Sequence, residues 1–259
     1  MVRARFQDPL ASWLPYCRMR SLFLTGGGSH LRGLPFLIEG GSAYPKPLAA
    51  RSNRVRRARV LPMREIAPGL WRWTAPHPAW RPGAERDSPG DWDESVGSVL
   101  YLGRDAAVFI DPLLPHDEEQ FWRWADERDA GRGVVVLTTL LPHRRSREQV
   151  IQRYGASSSR VKRNLPAGVE SIVLRGARET MFWLPEHRTL VPGDRILGAP
   201  GGGLMLCPES WLYWVRVNRD ELRMLLQPLL DLPIERVLVS HGEPVLSGGG
   251  EALRRCLSS

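Results

Sequence analysis

Six histidines, three cysteines and scattered acids are the groups in this 259-residue chain that could hold a metal ion or move a proton. Cys17, Cys207 and Cys256 are far apart and form no C-x-x-C pair, so they suggest neither a disulfide framework nor a cysteine zinc site. The histidines are His30, His77, His116, His143, His187 and His241. Taken singly, they read as loop or turn residues. His143 stands among Arg144, Arg145 and Arg147, whose charge opposes a cation. His187 sits in the turn Pro185-Glu186-His187-Arg188, and His77 and His116 fall in a loop and at a helix start. Asp194 follows Gly193 and reads as a turn former, and His241 before Gly242 reads as a backbone-bonded histidine. Asp91-Trp92-Asp93 reads as solvated loop acids. Gly201-Gly202-Gly203 lacks the Gly-Lys-Ser/Thr of a phosphate-binding loop. No local motif fixes a chemistry, so the elements that carry these residues have to be placed first.

From Met63 onward the chain is patterned. Gly69 to Thr74 reads as a strand, and residues 75–93, rich in Pro, Gly and Asp, read as a long loop. Val96–Leu102 and Ala106–Ile110 flank Gly103-Arg104-Asp105 as a hairpin does, and Asp111-Pro112 ends the second strand. His116 to Ala130 has acids at its start and apolar residues at helical spacing. Val134 to Thr138 is a continuous apolar run, as in a strand covered on both faces. A helix over 146–154, with Ser146 as N-cap, comes next. Short strands over 171–174, 180–184 and 189–191, a helix over 219–230, a buried strand over 237–240 and a helix over 251–256 follow. Hairpin strands followed by strand–helix alternation make this an α/β chain with mixed sheets.

The charge is unevenly placed. Residues 1–62 hold eleven Lys and Arg against Asp8 and Glu39, while the rest holds 25 basic and 26 acidic residues. The basic character therefore belongs to an N-terminal extension, 1–62, which is cut by Pro and Gly and reads as disordered. The division argues against nucleic-acid binding by the domain that follows. No apolar run approaches the roughly 20 residues a bilayer needs, and the extension has no continuous apolar core of a signal peptide. The expected compartment is the reducing cytoplasm.

Five segments resemble one family when taken in order. They are Ile66-Ala67-Pro68-Gly69-Leu70-Trp71, Phe109-Ile110-Asp111, Val134-Val135-Val136-Leu137-Thr138, Val191-Pro192-Gly193-Asp194 and Val239-Ser240-His241-Gly242. They are similar to the metallo-β-lactamase-fold proteins over roughly residues 63–250. The resemblance implies a four-layer αββα sandwich for residues 63–259. Metal would lie at the edge between the two sheets, held by loops at strand ends.

In that family the strand resembling Val134–Thr138 runs into H-x-H-x-D-H. Here Thr139 and Leu141 stand at the first two His positions, His143 at the Asp and Arg144 at the third His. The later histidine of the family is replaced in Gly176-Ala177-Arg178, most simply by Ala177. Thr, Leu and Ala cannot replace three imidazoles, so the resemblance implies that the first metal site is lost. It leaves His143, Asp194 and His241 to meet at the second metal position and hold at most one zinc ion. Three N/O ligands with one position left open is how catalytic zinc sites are built. Arg144 beside them could hold an anionic group of a substrate. Two functions follow from the resemblance. One is metal-dependent hydrolysis of an ester, thioester, amide or phosphoester. The other is a non-catalytic protein that binds a small molecule or a partner in the degenerate cleft.

Overall fold

The computed structural model describes residues 63–129, 131–159 and 165–259. The expected extension 1–62, with Cys17 and His30, lies outside the described residues.

The first sheet has six strands, β1 (Arg64–Ala67), β2 (Leu70–Pro76), β3 (Ser95–Leu102), β4 (Ala106–Ile110), β5 (Gly133–Leu137) and β6 (Ser157–Ser159), in sequence order across the sheet. The pairs from β1 to β4 are antiparallel, and β4–β5 and β5–β6 are parallel. Helices α1 (Glu118–Asp129) and α2 (Arg147–Tyr154) make the connections that parallel pairing requires. The second sheet has the order β12-β9-β8-β7, with β7 (Glu170–Leu174), β8 (Glu179–Leu184), β9 (Thr189–Val191) and β12 (Arg236–Val237). A separate hairpin joins β10 (Ile196–Gly198) to β11 (Leu204–Leu206), and α3 (Arg219–Leu226) and α4 (Gly249–Ser258) follow.

The layering follows from side-chain alternation along each strand. In β4, Ala107 and Phe109 face one way, with Trp73 and the helix residues Phe121 and Val150. Ala106, Val108 and Ile110 face the other way, onto Phe182, Leu184 and Val191 of the second sheet. Strand β8 repeats the pattern. Its Met181 and Trp183 turn away from the first sheet toward Leu222, Leu226 and Leu253 of α3 and α4. Each central strand is therefore apolar on both faces, which is why the sequence shows runs rather than alternation. The layers are helix, sheet, sheet, helix, as expected.

Several boundaries differ from expectation, for physical reasons. The strand expected over 69–74 is the second arm of a hairpin turned at Gly69, whose φ is +75°. Ser146 does not cap α2, because its hydroxyl instead accepts the Leu114 N–H at 3.0 Å. The helix expected to reach 230 gives way at Gln227–Asp231 to a 3-10 turn containing Pro228. The strand expected over 237–240 pairs only at Arg236–Val237, and Ser240 then offers its carbonyl to Gly97 N of β3 at 2.7 Å. The chain thus crosses from the second sheet to the first just before His241.

That crossing is held by close backbone contact. Gly198 N donates to His241 O at 2.9 Å, and a methyl added at Gly198 would overlap the Glu243 carbonyl oxygen and stand 2.5 Å from its nitrogen. Gly198→Ala is therefore expected to destabilise the protein by about 2 kcal/mol or more, through the turn that carries His241. Urea denaturation checks this; a change within about 0.5 kcal/mol would show that the turn simply gives way.

Candidate metal centre

Three loops bring the candidate ligands together at one edge of the two sheets. His143 lies in a 3-10 turn, Leu141–Arg144, directly after β5, with Pro142 in its first turn. Asp194 follows β9, and His241 follows the crossing from β12. One ligand atom from each of His143, Asp194 and His241 lies within 4.8 Å of the others. Asp194 Oδ1 is 2.9 Å from His143 Nε2 and 3.3 Å from His241 Nε2. Arg144, expected beside them as an anion-holding group, is exposed and makes no hydrogen bond or ion pair among the described residues.

His143 is buried and its ring orientation is fixed. Asp111 accepts the Thr139 backbone N–H at 2.9 Å and also bonds the Thr139 hydroxyl. A carboxylate only accepts, so the hydroxyl donates to Asp111 and leaves its lone pair for His143. His143 Nδ1 lies 3.0 Å from Thr139 Oγ1 and 2.9 Å from Asp111 Oδ2. Both partners there accept, so the assigned proton is on Nδ1. The Nε2 of the neutral ring then stands unprotonated 2.9 Å from the Asp194 carboxylate. Two electron-rich atoms lie close together, and a proton on Nε2 or a metal cation near both relieves the repulsion.

The carboxylate shows the same need. Asp194 Oδ1 is buried with two ring nitrogens at 2.9 and 3.3 Å, neither in good hydrogen-bond alignment, and against the opposing effect of burial the His143 and His241 rings hold its carboxyl well below the usual carboxylate range. Distance is met and direction is not, so the rings are not aimed at this oxygen as donors. A buried anionic oxygen without a donor is costly. Two imidazole nitrogens and one carboxylate oxygen suit a single divalent zinc ion, so the donor set fits. His241 is held differently from His143. Its Nδ1 is buried without a partner, and its ring is clasped edge-to-face by Trp92 and Trp211, with centroids at 5.6 and 5.4 Å.

A ring of supports lies behind the ligands. Arg145 donates to Gly97 O at 2.8 Å, Asp111 O at 3.2 Å and Ser240 Oγ at 2.6 Å. It therefore ties the His143 turn to the Asp111 corner and to the residue before His241. Asp111 and Arg145 both hold positive φ, 48° and 35°, which non-glycine residues adopt at a cost of about 1–3 kcal/mol each. Arg72 adds bonds to Val239 O and Gly242 O, both at 3.3 Å. Glu179 accepts the backbone N–H groups of Gly193, Asp194 and Arg195 at 3.0, 2.8 and 3.0 Å. Burial raises its carboxyl to about 7, with Asp194 adding to the rise and Arg195 and the amides opposing it.

The other candidate residues divide between the site and elsewhere. His77 reaches the cleft edge, since Trp92 packs against both it and His241. Burial, then the charges of Arg145, His143 and His241, lower His77 to about 4. Trp80 donates to Trp92 O at 2.8 Å, and Trp211 donates to Ser88 O at 3.2 Å, which fastens the loop of 77–94 over the site. His116 is exposed, and His187 packs on Tyr101, centroids 5.5 Å apart, at the turn after β8. Of the positions emptied of metal ligands, Thr139 and Ala177 are buried, but Leu141 is 61% exposed. The residue that packs inward there is Leu140, whose Cδ1 stands 3.0 Å from where a Gly193 side chain would begin. Cys207 and Cys256 are buried and unpaired, and burial raises both thiols to about 11.

No family model matches the chain, and no curated protein does. Solved structures do. The DIM-1 metallo-β-lactamase exposed to ceftazidime is similar with a TM-score of 0.50 and 11% identity, over 76% of this chain and 96% of its own. VMB-1 gives a TM-score of 0.51 and 12% identity, over 76% of this chain and 95% of its own. A metallo-β-lactamase from Pontibacter korlensis gives 0.50 and 14%, over 77% of this chain and 100% of its own. This chain has the metallo-β-lactamase fold. At such identity the likeness fixes the architecture and leaves the substrate open. Among the described residues, no helix is long and apolar enough to cross a membrane.

The electrostatics of the metal-free site give a pH signature. Burial alone would lower His143, but the Asp194 and Asp111 carboxylates outweigh burial and Arg145 and raise it to about 9. A raised histidine contributes stability that is fully present below its unfolded value near 6.5 and is lost as pH rises through about 9. Chelator-treated protein is expected to lose roughly 2–3 kcal/mol of unfolding free energy between pH 6 and pH 10 through this group. His143→Gln should remove that part of the pH dependence. Equal slopes for the two proteins would show that His143 does not titrate this way.

Proposed function

We propose that this protein is a metal-dependent hydrolase that works with a single metal ion, held by His143 Nε2, Asp194 Oδ1 and His241 Nε2. The observation that carries this reading is the convergence of two imidazole nitrogens on the buried Asp194 oxygen, at 2.9 and 3.3 Å, with all three ligand atoms within 4.8 Å of one another. A bound zinc ion supplies there a Lewis acid for a carbonyl or phosphoryl oxygen and a nucleophile at neutral pH. Reactions of that kind are hydrolyses of an ester, thioester, amide or phosphoester.

The chain's own groups have separate tasks in this reading. Asp111 keeps the proton of His143 on Nδ1 and so keeps Nε2 free as a ligand atom. Trp92 and Trp211 cover the His241 ring and exclude water from that side. His77 accepts the Ala79 N–H at its Nδ1, at 3.2 Å. Its proton is therefore on Nε2, and its lowered pKa keeps it a neutral donor at pH 7. Arg144, exposed on the turn after His143, offers a guanidinium to an anionic group of the substrate.

Metal analysis of the purified chain tests the proposal before any substrate is known. About one zinc per chain is expected, and His143→Ala, His241→Ala and Asp194→Asn should each lose it, since two remaining ligands hold zinc weakly. The zinc-loaded protein should then hydrolyse at least one of an aryl ester, a thioester, an amide or a phosphodiester, and Asp194→Asn should not. Zinc-free protein after reconstitution, or zinc that persists in all three variants, would overturn the assignment. Zinc binding without turnover of any of the four classes would leave the ligands standing and favour a binding protein.

A further inference from the structure

Two of the three positions emptied of metal ligands adjoin a buried ion pair. Thr139 Oγ1 and Glu179 Oε2 lie 2.8 and 3.0 Å from the single point where a side chain at Gly193 would begin. The Ala177 carbonyl accepts two bonds from Arg195, at 3.2 Å from Nε and 3.1 Å from a terminal nitrogen. Arg195 Nε stands 4.0 Å from Glu179 Oε2, and both side chains are nearly fully buried. Glu179 in turn accepts three successive backbone N–H groups, those of Gly193, Asp194 and Arg195. So much polar contact in one buried place, next to the loop that carries Asp194, has a positioning consequence. The peptide groups on either side of Asp194 cannot turn without breaking bonds to a buried carboxylate.

We propose that the Glu179–Arg195 pair occupies the place of the lost first metal and takes over its positioning role. With the first metal absent, restraint on this side of Asp194 has to come from the protein, and Glu179 supplies it by gripping the backbone of Asp194. Glu179 is thus a positioning residue for the remaining metal, and the cleft is built for one ion because the buried pair fills the space of a second. The inference rests on the reading of His143, Asp194 and His241 as ligands, which has its own test above.

The experiment compares the full chain with Glu179→Gln and with Val150→Ala, a core change within α2 on the far face of the first sheet that serves as a stability control. Glutamine keeps the volume of Glu179 but turns an NH2 group toward the three amide donors, so at least one bond is lost. Zinc affinity is read by competition with a chromophoric chelator, and ligand geometry by the visible spectrum of the cobalt-substituted protein. Glu179→Gln should weaken zinc binding by about tenfold or more, the usual effect of losing a group that orients a ligand, and should shift the cobalt bands. Val150→Ala should lower the melting temperature and move neither reading. If Glu179→Gln does not fold, Gly193→Ala serves, because its methyl would press on Thr139 Oγ1 and Glu179 Oε2 and should weaken zinc in the same direction. Wild-type affinity in Glu179→Gln, or in Gly193→Ala where that one is used, would overturn the proposal, as would two zinc ions bound per wild-type chain. A wild-type chain that binds no zinc is a separate result, and it removes the ligand reading together with this one.

Discussion

Asp194 places a negative charge where its nearest neighbours are two imidazole nitrogens and no donor is aimed at it. The arrangement is unfavourable while both rings are neutral, because the buried carboxylate oxygen has lost its hydration and has no well-aligned donor. It becomes favourable when positive charge enters between the three groups. Most of the unusual geometry nearby can be traced to keeping that place open. The Nδ1 side of His143 is committed to Asp111 and Thr139, so Nε2 is left facing inward. The backbone of Asp194 is committed to Glu179, so its carboxylate cannot swing away to find a donor.

The candidate ligands come from three loops that belong to two different sheets, so something must hold those sheets in register at this edge. Buried guanidiniums serve that purpose. Arg145 reaches from the His143 turn to β3, to the Asp111 corner and to Ser240, and Arg72 reaches from β2 to the turn after His241. Arginine suits this better than lysine, since its planar fork makes several fixed bonds at once. The positive φ at Asp111 and Arg145 fits the same account, because strained residues persist where surrounding contacts over-determine them. Both lie within a few residues, or one hydrogen bond, of His143.

The architecture was legible in the sequence, because runs such as Val134–Leu137 and the hairpin of β3 and β4 announce strands buried on both faces. The short strands β6, β10 and β11 are not. Ser157–Ser159 has no apolar pattern, and Ile196–Gly198 and Leu204–Leu206 are three residues each with no two-residue turn between them to mark a hairpin. The meeting of His143, Asp194 and His241 was legible only through the order of five segments, since each residue alone resembles an ordinary loop position. The supports were hidden for a stronger reason. Glu179 opens a strand and looks like any strand-end acid, and its role depends on amides fourteen to sixteen residues away. Arg145 looks like one more charge in a basic turn, and the guanidinium singled out from sequence was its exposed neighbour, Arg144. Leu141, at the second of the emptied His positions, is turned outward by the 3-10 turn after β5, and Leu140 packs inward beside it. Alternation along a strand says nothing about where a turn of that kind points its side chains.

Charge balance ties these features to the chemistry. Around the site, the carboxylates of Asp111, Asp194, Glu179 and Glu243 stand against the guanidiniums of Arg72, Arg145 and Arg195. One negative charge is left over when Glu179 is ionised, and the imidazolium of His143 neutralises it in the metal-free state. A divalent ion that binds Nε2 must displace that proton, because the same lone pair cannot serve both. Metal and proton therefore compete for one nitrogen, and Asp111 strengthens both bonds by holding the opposite side of the ring. A bound divalent ion in place of that proton would turn the balance from neutral to one positive charge. That excess would lie between His143, Asp194 and His241. In the proposed reading, a site that is neutral with a proton and positive with a metal would hold the ion without fully satisfying it, and so leave it able to polarise a substrate oxygen.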